Sequence, residues 1–149
     1  MRLTLQTDYS LRVLMYVGAR PELWVSSQRL AVIYDASANH ISKVAKDLVT
    51  RGYLRSRRGH TGGFQLAVRP EDVNIGQLVR ELENLDLLDC FESATGACLL
   101  SPACSLRSAL LRAQRAFVET LDAYTLADLI HAPASLRETF LSRERLLDS

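Results

Sequence analysis

Between Ser26 and Val68, two short helical patterns parted by a few residues run straight into a glycine-bearing hairpin, and few folds accommodate that succession. Ser26 or Ser27 can cap the first pattern, which carries Leu30, Ile33 and Tyr34 on its apolar side and stops near Asp35 and Ala36. Ser37 caps the next, Ala38 to Thr50, whose core stripe is Ile41, Val44, Ala45 and Leu48. Gly52 stands where a helix end wants a left-handed residue. Two helices joined by a turn of three or four residues make a helix-turn-helix. Tyr53 to Arg58 then reads as a strand, Gly59 to Gly63 as a turn, and Phe64 to Val68 as the return strand. A hairpin in that position is a wing.

Off the core stripe, the Ala38–Thr50 helix carries Asn39, His40, Ser42, Lys43, Lys46 and Asp47. Asn, His and Ser can hydrogen-bond base edges, and Lys can reach phosphates. Any exposed helix face holds such residues, so the wing supplies the direction. Asn39, His40, Ser42 and Lys43 are expected to face bases or phosphates, while Arg55, Arg57, Arg58 and His60 serve the wing along the backbone or minor groove. Charge follows the same division. Residues 1–70 hold eleven Lys/Arg against four Asp/Glu, a net of +7, and residues 71–149 hold seven against thirteen, a net of −6. A basic half of this kind suits a polyanion such as double-stranded DNA.

Around this centre the periodicity predicts a first helix capped by Thr7 and Asp8, with Leu11, Leu14, Met15 and Val17 in its stripe, ending at Gly18 before Pro21. Asn74 caps a helix bearing Ile75, Leu78, Val79 and Leu82, and Ser105 caps a long one with Leu106, Ala109, Leu110, Ala113, Phe117 and Leu121 on one side. That long stripe is covered either within the chain or by the same helix of a second copy. Thr125 starts a last short helix. The tail from His131 is charged, with Leu136, Phe140, Leu146 and Leu147 placed irregularly, and is expected to be partly disordered or to lie along a dimer.

All three cysteines, Cys90, Cys98 and Cys104, fall within one stretch, and Gly96, Ser101 and Pro102 make that stretch a loop. An odd number cannot close into disulfides within one chain. Thiolates suit zinc, copper(I) or iron–sulfur clusters, and three of them leave one coordination position for another donor. Small buried hydrophobes are the plainer alternative. Zinc fits poorly, because structural zinc sites space their cysteines by two to four residues whereas the gaps here are seven and five. No apolar run approaches the ~20 residues of a membrane span, and the N-terminus has no signal-peptide core, so a cytoplasmic protein with reduced thiols is expected and no membrane partner. No nucleophile–base pair, paired acidic motif or phosphate-cradling loop stands out, and Gly59–Gly63 leads into a strand rather than a helix. Catalysis is not expected.

Taken in order, several motifs resemble the NsrR-type nitric-oxide-sensing repressors, relatives of the iron–sulfur regulator IscR. They are Met1-Arg-Leu-Thr with Thr7, Asp8 and Arg12, then Asn39-His40, and Arg57-Arg58-Gly59 with Gly62-Gly63. Val79 to Glu83, the three-cysteine loop and Tyr124 to Leu129 complete the set, which spans about the first 130 residues. The resemblance implies a homodimeric repressor, mainly α with a small β-hairpin wing. A winged helix-turn-helix DNA-binding domain occupies 1–70, a connecting helix and cluster-binding loop 71–104, a long dimerisation helix with a short following helix 105–130, and a C-terminal tail 131–149. It further implies a 4Fe–4S cluster on Cys90, Cys98 and Cys104, completed by Asp8 of the other subunit, with Arg12 hydrogen-bonding around the site. On its own, Asp8 reads equally well as a helix cap. IscR-like members use a histidine three residues after the last cysteine, and Arg107 in that position cannot ligate iron. An iron-, oxygen- or redox-responsive regulator of the same fold using a 2Fe–2S cluster, zinc or thiols is the alternative.

Overall fold

The computed structural model describes residues 2–87, 104–131 and 134–147. Helix α1 (Leu5–Gly18) is the central strut, with Val13, Leu14, Tyr16 and Val17 wholly buried. Its cap is Thr4, whose hydroxyl accepts from Thr7 N at 3.3 Å, rather than Thr7 or Asp8. Thr7 is itself buried one turn inside the helix, which places Asp8 in the first turn, where a carboxylate faces the positive end of the helix dipole.

Helix α2 (Ser27–Tyr34) is capped by Ser26, which accepts from Arg29 N at 3.1 Å. Asp35 in the left-handed region (φ 50°) turns the chain, and α3 (Ala38–Thr50) follows after Ser37. Ile41, Val44, Ala45 and Leu48 are fully buried, as the stripe requires, each large one contributing roughly 1.5–3 kcal/mol. Ser37 occupies the capping position without making a capping hydrogen bond. Strands β1 (Leu54–Arg57) and β2 (Gly63–Leu66) pair antiparallel in the register Leu54↔Leu66 to Arg57↔Gly63. Val25 bridges to Phe64 through Val25 N to Phe64 O at 3.0 Å and Phe64 N to Val25 O at 2.9 Å, so the loop before α2 lies along the outer edge of β2.

A 3₁₀ turn (Pro70–Asp72) leads to α4 (Ile75–Leu82), capped by Asn74 accepting from Gln77 N at 2.8 Å. The long helix α5 (Ser105–Asp122) lies against α4, tied by the two-pronged pair of Arg80 with Asp122. Its cap is Cys104 rather than Ser105, because the thiol sulfur, 3.4 Å from Arg107 N, is the atom that reaches the free amide. Only Val118 of α5 is buried, and Leu106 is 59% exposed. Helix α6 (Leu126–Ile130) starts with the reciprocal Thr125–Asp128 capping box and packs on α1.

The tail departs from expectation. It forms α7 (Ala134–Glu144) and a terminal turn (Arg145–Leu147) that dock on α2 of the same chain. Phe140 is buried, edge-on to Tyr16 at 5.1 Å and to Tyr34 at 6.4 Å. Glu144 accepts from Tyr16 Oη at 2.5 Å and from Arg20 Nε at 3.1 Å, and pairs with Arg29 at 3.4 Å. Among the described residues, no helix is long and apolar enough to cross a membrane.

Candidate nucleic-acid interface and sensor residues

The core stripe of α3 fixes which residues face out. Asn39, Lys43, Lys46 and Thr50 are exposed and recur at three- and four-residue steps, forming one outward row. Ser42 is half-buried beside them. His40 is half-buried too, its ring edge-on to Tyr9 of α1 at 5.2 Å. Asp47, the one acid on this helix, is held by Arg51 at 2.9 Å and Gln6 at 3.2 Å, so its charge is offset locally. A groove runs from this row to the wing, lined among others by Ser27, Gln28, Lys46, Thr50, Arg58 and His60.

The wing arginines divide by what holds them. Arg57 lies over the Trp24 ring at 4.4 Å and donates to Thr61 O at 2.6 Å. Arg55 lies 5.6 Å from the same ring and donates to Gln65 Oε1 at 2.9 Å. Arg58 and His60 stand exposed at the tip. Two glycines shape that tip. Gly63, at φ +147°, sits where a Cβ would lie 2.6 Å from the Val25 backbone, and Gly62 closes the turn by donating to Gly59 O at 2.9 Å.

Asp8 and Arg12 are one turn apart on the exposed side of α1 and pair at 2.9 Å, their side chains 39% and 48% exposed. The Arg12 carbonyl accepts from Tyr34 Oη at 2.6 Å, and Arg12 lies 5.9 Å from the Tyr34 ring. Burial pushes the Tyr34 phenol up, so it stays a proton donor at any physiological pH. Cys104 is a free, half-buried thiol at the head of α5. Cys90 and Cys98 lie outside the described residues. Among the described residues, no three His, Cys, Asp or Glu side chains gather where they could hold a metal ion. The donors that are described have suitable chemistry for a cluster. Cys104 already accepts an N–H···S hydrogen bond of the kind that tunes cluster thiolates, and Asp8 is an accessible carboxylate held by Arg12.

Lys46, Thr50, Gln28 and Trp24 are absent from the sequence-predicted contacts. Steps of three and then four residues from Lys43 along the helix reach Lys46 and Thr50. Nothing in the local pattern reveals that Trp24 meets the wing.

A helix-turn-helix with a basic hairpin beside its second helix defines a winged-helix DNA-binding regulator. Residues 3–132 match the family described as Rrf2, iron-dependent transcriptional regulator. The chain is 44% identical over 145 residues to the HTH-type transcriptional regulator NsrR of Geobacillus kaustophilus, covering 96% of this chain and 99% of that one. It is 42% identical to the NsrR of Bacillus subtilis over 132 residues, 87% and 90% of the two chains. Among solved structures, CymR, the global cysteine regulator of B. subtilis, superposes with a TM-score of 0.71 at 21% identity, covering 89% of this chain and 98% of that one. IscR of T. potens does so with a TM-score of 0.69 at 23% identity, covering 87% and 86%. The chain belongs to the Rrf2 family of transcriptional regulators, and it is not an enzyme.

Proposed function

We propose that this protein is a cytoplasmic homodimeric repressor that holds a 4Fe–4S cluster and releases its operator when nitric oxide damages that cluster. The observation that carries the reading is the Asp8–Arg12 pair, exposed on a helix whose other side packs on the recognition helix. Cys90, Cys98 and Cys104 would hold the cluster, with Asp8 of the partner subunit as the fourth donor. When bound, the cluster supplies iron that nitric oxide can ligate. A carboxylate is a harder and more readily exchanged donor for such iron than a thiolate. Arg12 orients Asp8 outward. Loss of Asp8 as a donor would free the first turn of α1 from the other protomer. Because α1 packs on α3, that would alter how the two recognition helices are spaced. A dimer reads two half-sites on one face of the duplex, so a small change in spacing weakens both contacts together.

The dimer reading is supported by α5, whose Leu106 is exposed and whose Leu110, Phe117 and Leu121 are only half-buried by their own chain. Asn39, Ser42 and Lys43, with Lys46 beside them, would meet the major groove, and Arg55, Arg57, Arg58 and His60 the flanking backbone. His40 would act at the Tyr9 edge of that face.

The test is anaerobic absorption and Mössbauer spectroscopy of the purified protein and of Asp8→Ala. The reading expects a brown protein with four irons per cluster, and a changed signature for one iron site in the variant. Colourless, zinc-loaded protein, a 2Fe–2S spectrum or a variant with unchanged spectra would overturn it.

A further inference from the structure

We propose that Trp24 is the positioning residue of the wing, holding Arg55 and Arg57 in the arrangement that meets DNA. Trp24 is the only tryptophan of the chain and sits in the loop between α1 and α2, far from the wing in sequence. The backbone places it there. The two hydrogen bonds between Val25 and Phe64 fasten the loop to the edge of β2. Val25 is fully buried, so its neighbour in the extended chain faces the other way and remains half-exposed. On β1, Arg55 and Arg57 are two residues apart and share one face. That face meets the indole, with the guanidinium carbons 5.6 and 4.4 Å from the ring centroid, both within the range of a cation–π contact.

Each arginine has a second anchor. Arg57 donates to Thr61 O across the tip. Arg55 donates to Gln65 Oε1, and Gln65 Nε2 in turn donates to Pro21 O at 3.0 Å, back in the loop that carries Trp24. The wing is therefore tied to the loop before α2 by Arg55 and Arg57 on the Trp24 ring and by Gln65 on the Pro21 carbonyl. The choice of an aromatic partner matters. Arg12, Arg20, Arg29, Arg51, Arg69 and Arg80 are all held by carboxylates, which offset their charge. Arg55 and Arg57 are in none of those ion pairs. An indole fixes a guanidinium without neutralising it, so the two cations are ordered and still available to phosphates. Three clustered arginines repel one another, so without Trp24 the Arg55 and Arg57 side chains must be ordered at the moment of binding.

This inference rests on the reading of the wing as a DNA-contacting element. The experiment therefore has one arm with DNA and one without. In the first, a labelled duplex of about 30 base pairs, taken from a random pool by the wild-type protein, is titrated by anisotropy with wild type, Trp24→Ala, Trp24→Phe and Arg57→Ala across a salt series. Trp24→Ala is expected to weaken binding on the order of tenfold, because each wing forfeits two stacked pairs. Its salt slope stays that of wild type because every cation remains, whereas Arg57→Ala lowers the slope. Trp24→Phe keeps a ring face and restores most of the affinity. In the second arm, tryptic cleavage after Arg57 and Arg58 is followed by mass spectrometry and is expected to be faster in Trp24→Ala, with the melting temperature unchanged. Unchanged affinity, an affinity loss that Trp24→Phe does not repair, or a loss accompanied by a matching fall in melting temperature overturns the proposal. If the wild type selects no duplex, the DNA reading of the wing fails, and an unchanged cleavage rate then refutes the Trp24 clamp separately.

Discussion

Replacing Gly63 by alanine isolates how the wing is seated on the body of the protein. Gly63 pairs with Arg57 at the end of the hairpin, and its φ of +147° disfavours any residue with a Cβ. Strain of that kind costs roughly 1–3 kcal/mol. The added Cβ would also lie 2.6 Å from the Val25 carbonyl carbon and oxygen and 2.9 Å from Val25 N, so backbone must move. Moving it parts Val25 from Phe64 and breaks two hydrogen bonds, each contributing about 0.5–1.5 kcal/mol. The sum is about 2–6 kcal/mol before any loosening of the packing around the buried Val25. Gly52→Ala is the paired control. It shares a positive φ, +85°, but nothing lies within 4 Å of where its Cβ would stand, so only the backbone strain, roughly 1–2 kcal/mol, applies. Urea unfolding at one fixed protomer concentration gives both values, the midpoints being read at constant slope. Equal costs for the two variants, or a cost below about 1 kcal/mol for Gly63→Ala, would refute the reasoning, because the clash with Val25 would then have no energetic weight.

Lys43→Ala and Lys46→Ala should each weaken binding to every duplex and flatten the salt dependence by about one unit for each phosphate left unneutralised. Equal slopes in wild type and both variants would show that α3 docks by another face. Phe140→Ala should cost about 3 kcal/mol in urea unfolding, since the ring is buried against Tyr16 and Tyr34, and should expose α7 to trypsin at Arg143. A cost near zero would mean that α7 is held by something other than this ring. Burial works against the Glu144 carboxylate, but hydrogen bonds from Tyr16 and Arg20 and the charges of Arg20 and Arg29 outweigh it and hold its pKa below the ordinary glutamate value. That depression stabilises the docked tail above the unfolded-state pKa of about 4.3, and the contribution is lost as pH falls through the lower folded value. Protection of the α7 amides from hydrogen exchange, taken relative to the intrinsic rate at each pH, should therefore fall in acid, and Glu144→Gln should remove that dependence. Wild-type protection that ignores acid would contradict it.

The helix-turn-helix and wing are legible because each signal is local. The stripe of α3 is complete within one helix, and Asp35, Gly52 and the Gly59–Gly63 tip mark the turns with residues that tolerate them. Cap positions are less legible. Thr4 and Thr7 both offer a hydroxyl, and only the backbone decides which one reaches a free amide. At α5 the nearest acceptor is sulfur, which lies outside the usual capping set. The tail defeats a sequence reading because its anchors are far away along the chain. Glu144 answers to Tyr16, Arg20 and Arg29, and no periodicity within 131–149 reveals that. The site shows the same division. The outward row of α3 follows from helical spacing, whereas the packing of His40 on Tyr9 and of Arg57 on Trp24 depends on elements that meet only in the folded chain.

The central claim is that cluster integrity sets DNA affinity. The direct test is one anaerobic titration of operator duplex with cluster-loaded protein, repeated on the same sample after stoichiometric nitric oxide. Binding weakened by at least about tenfold, roughly 1.4 kcal/mol, with the cluster absorption disappearing in step, is the expected result. Unchanged affinity after the cluster absorption has gone would contradict it.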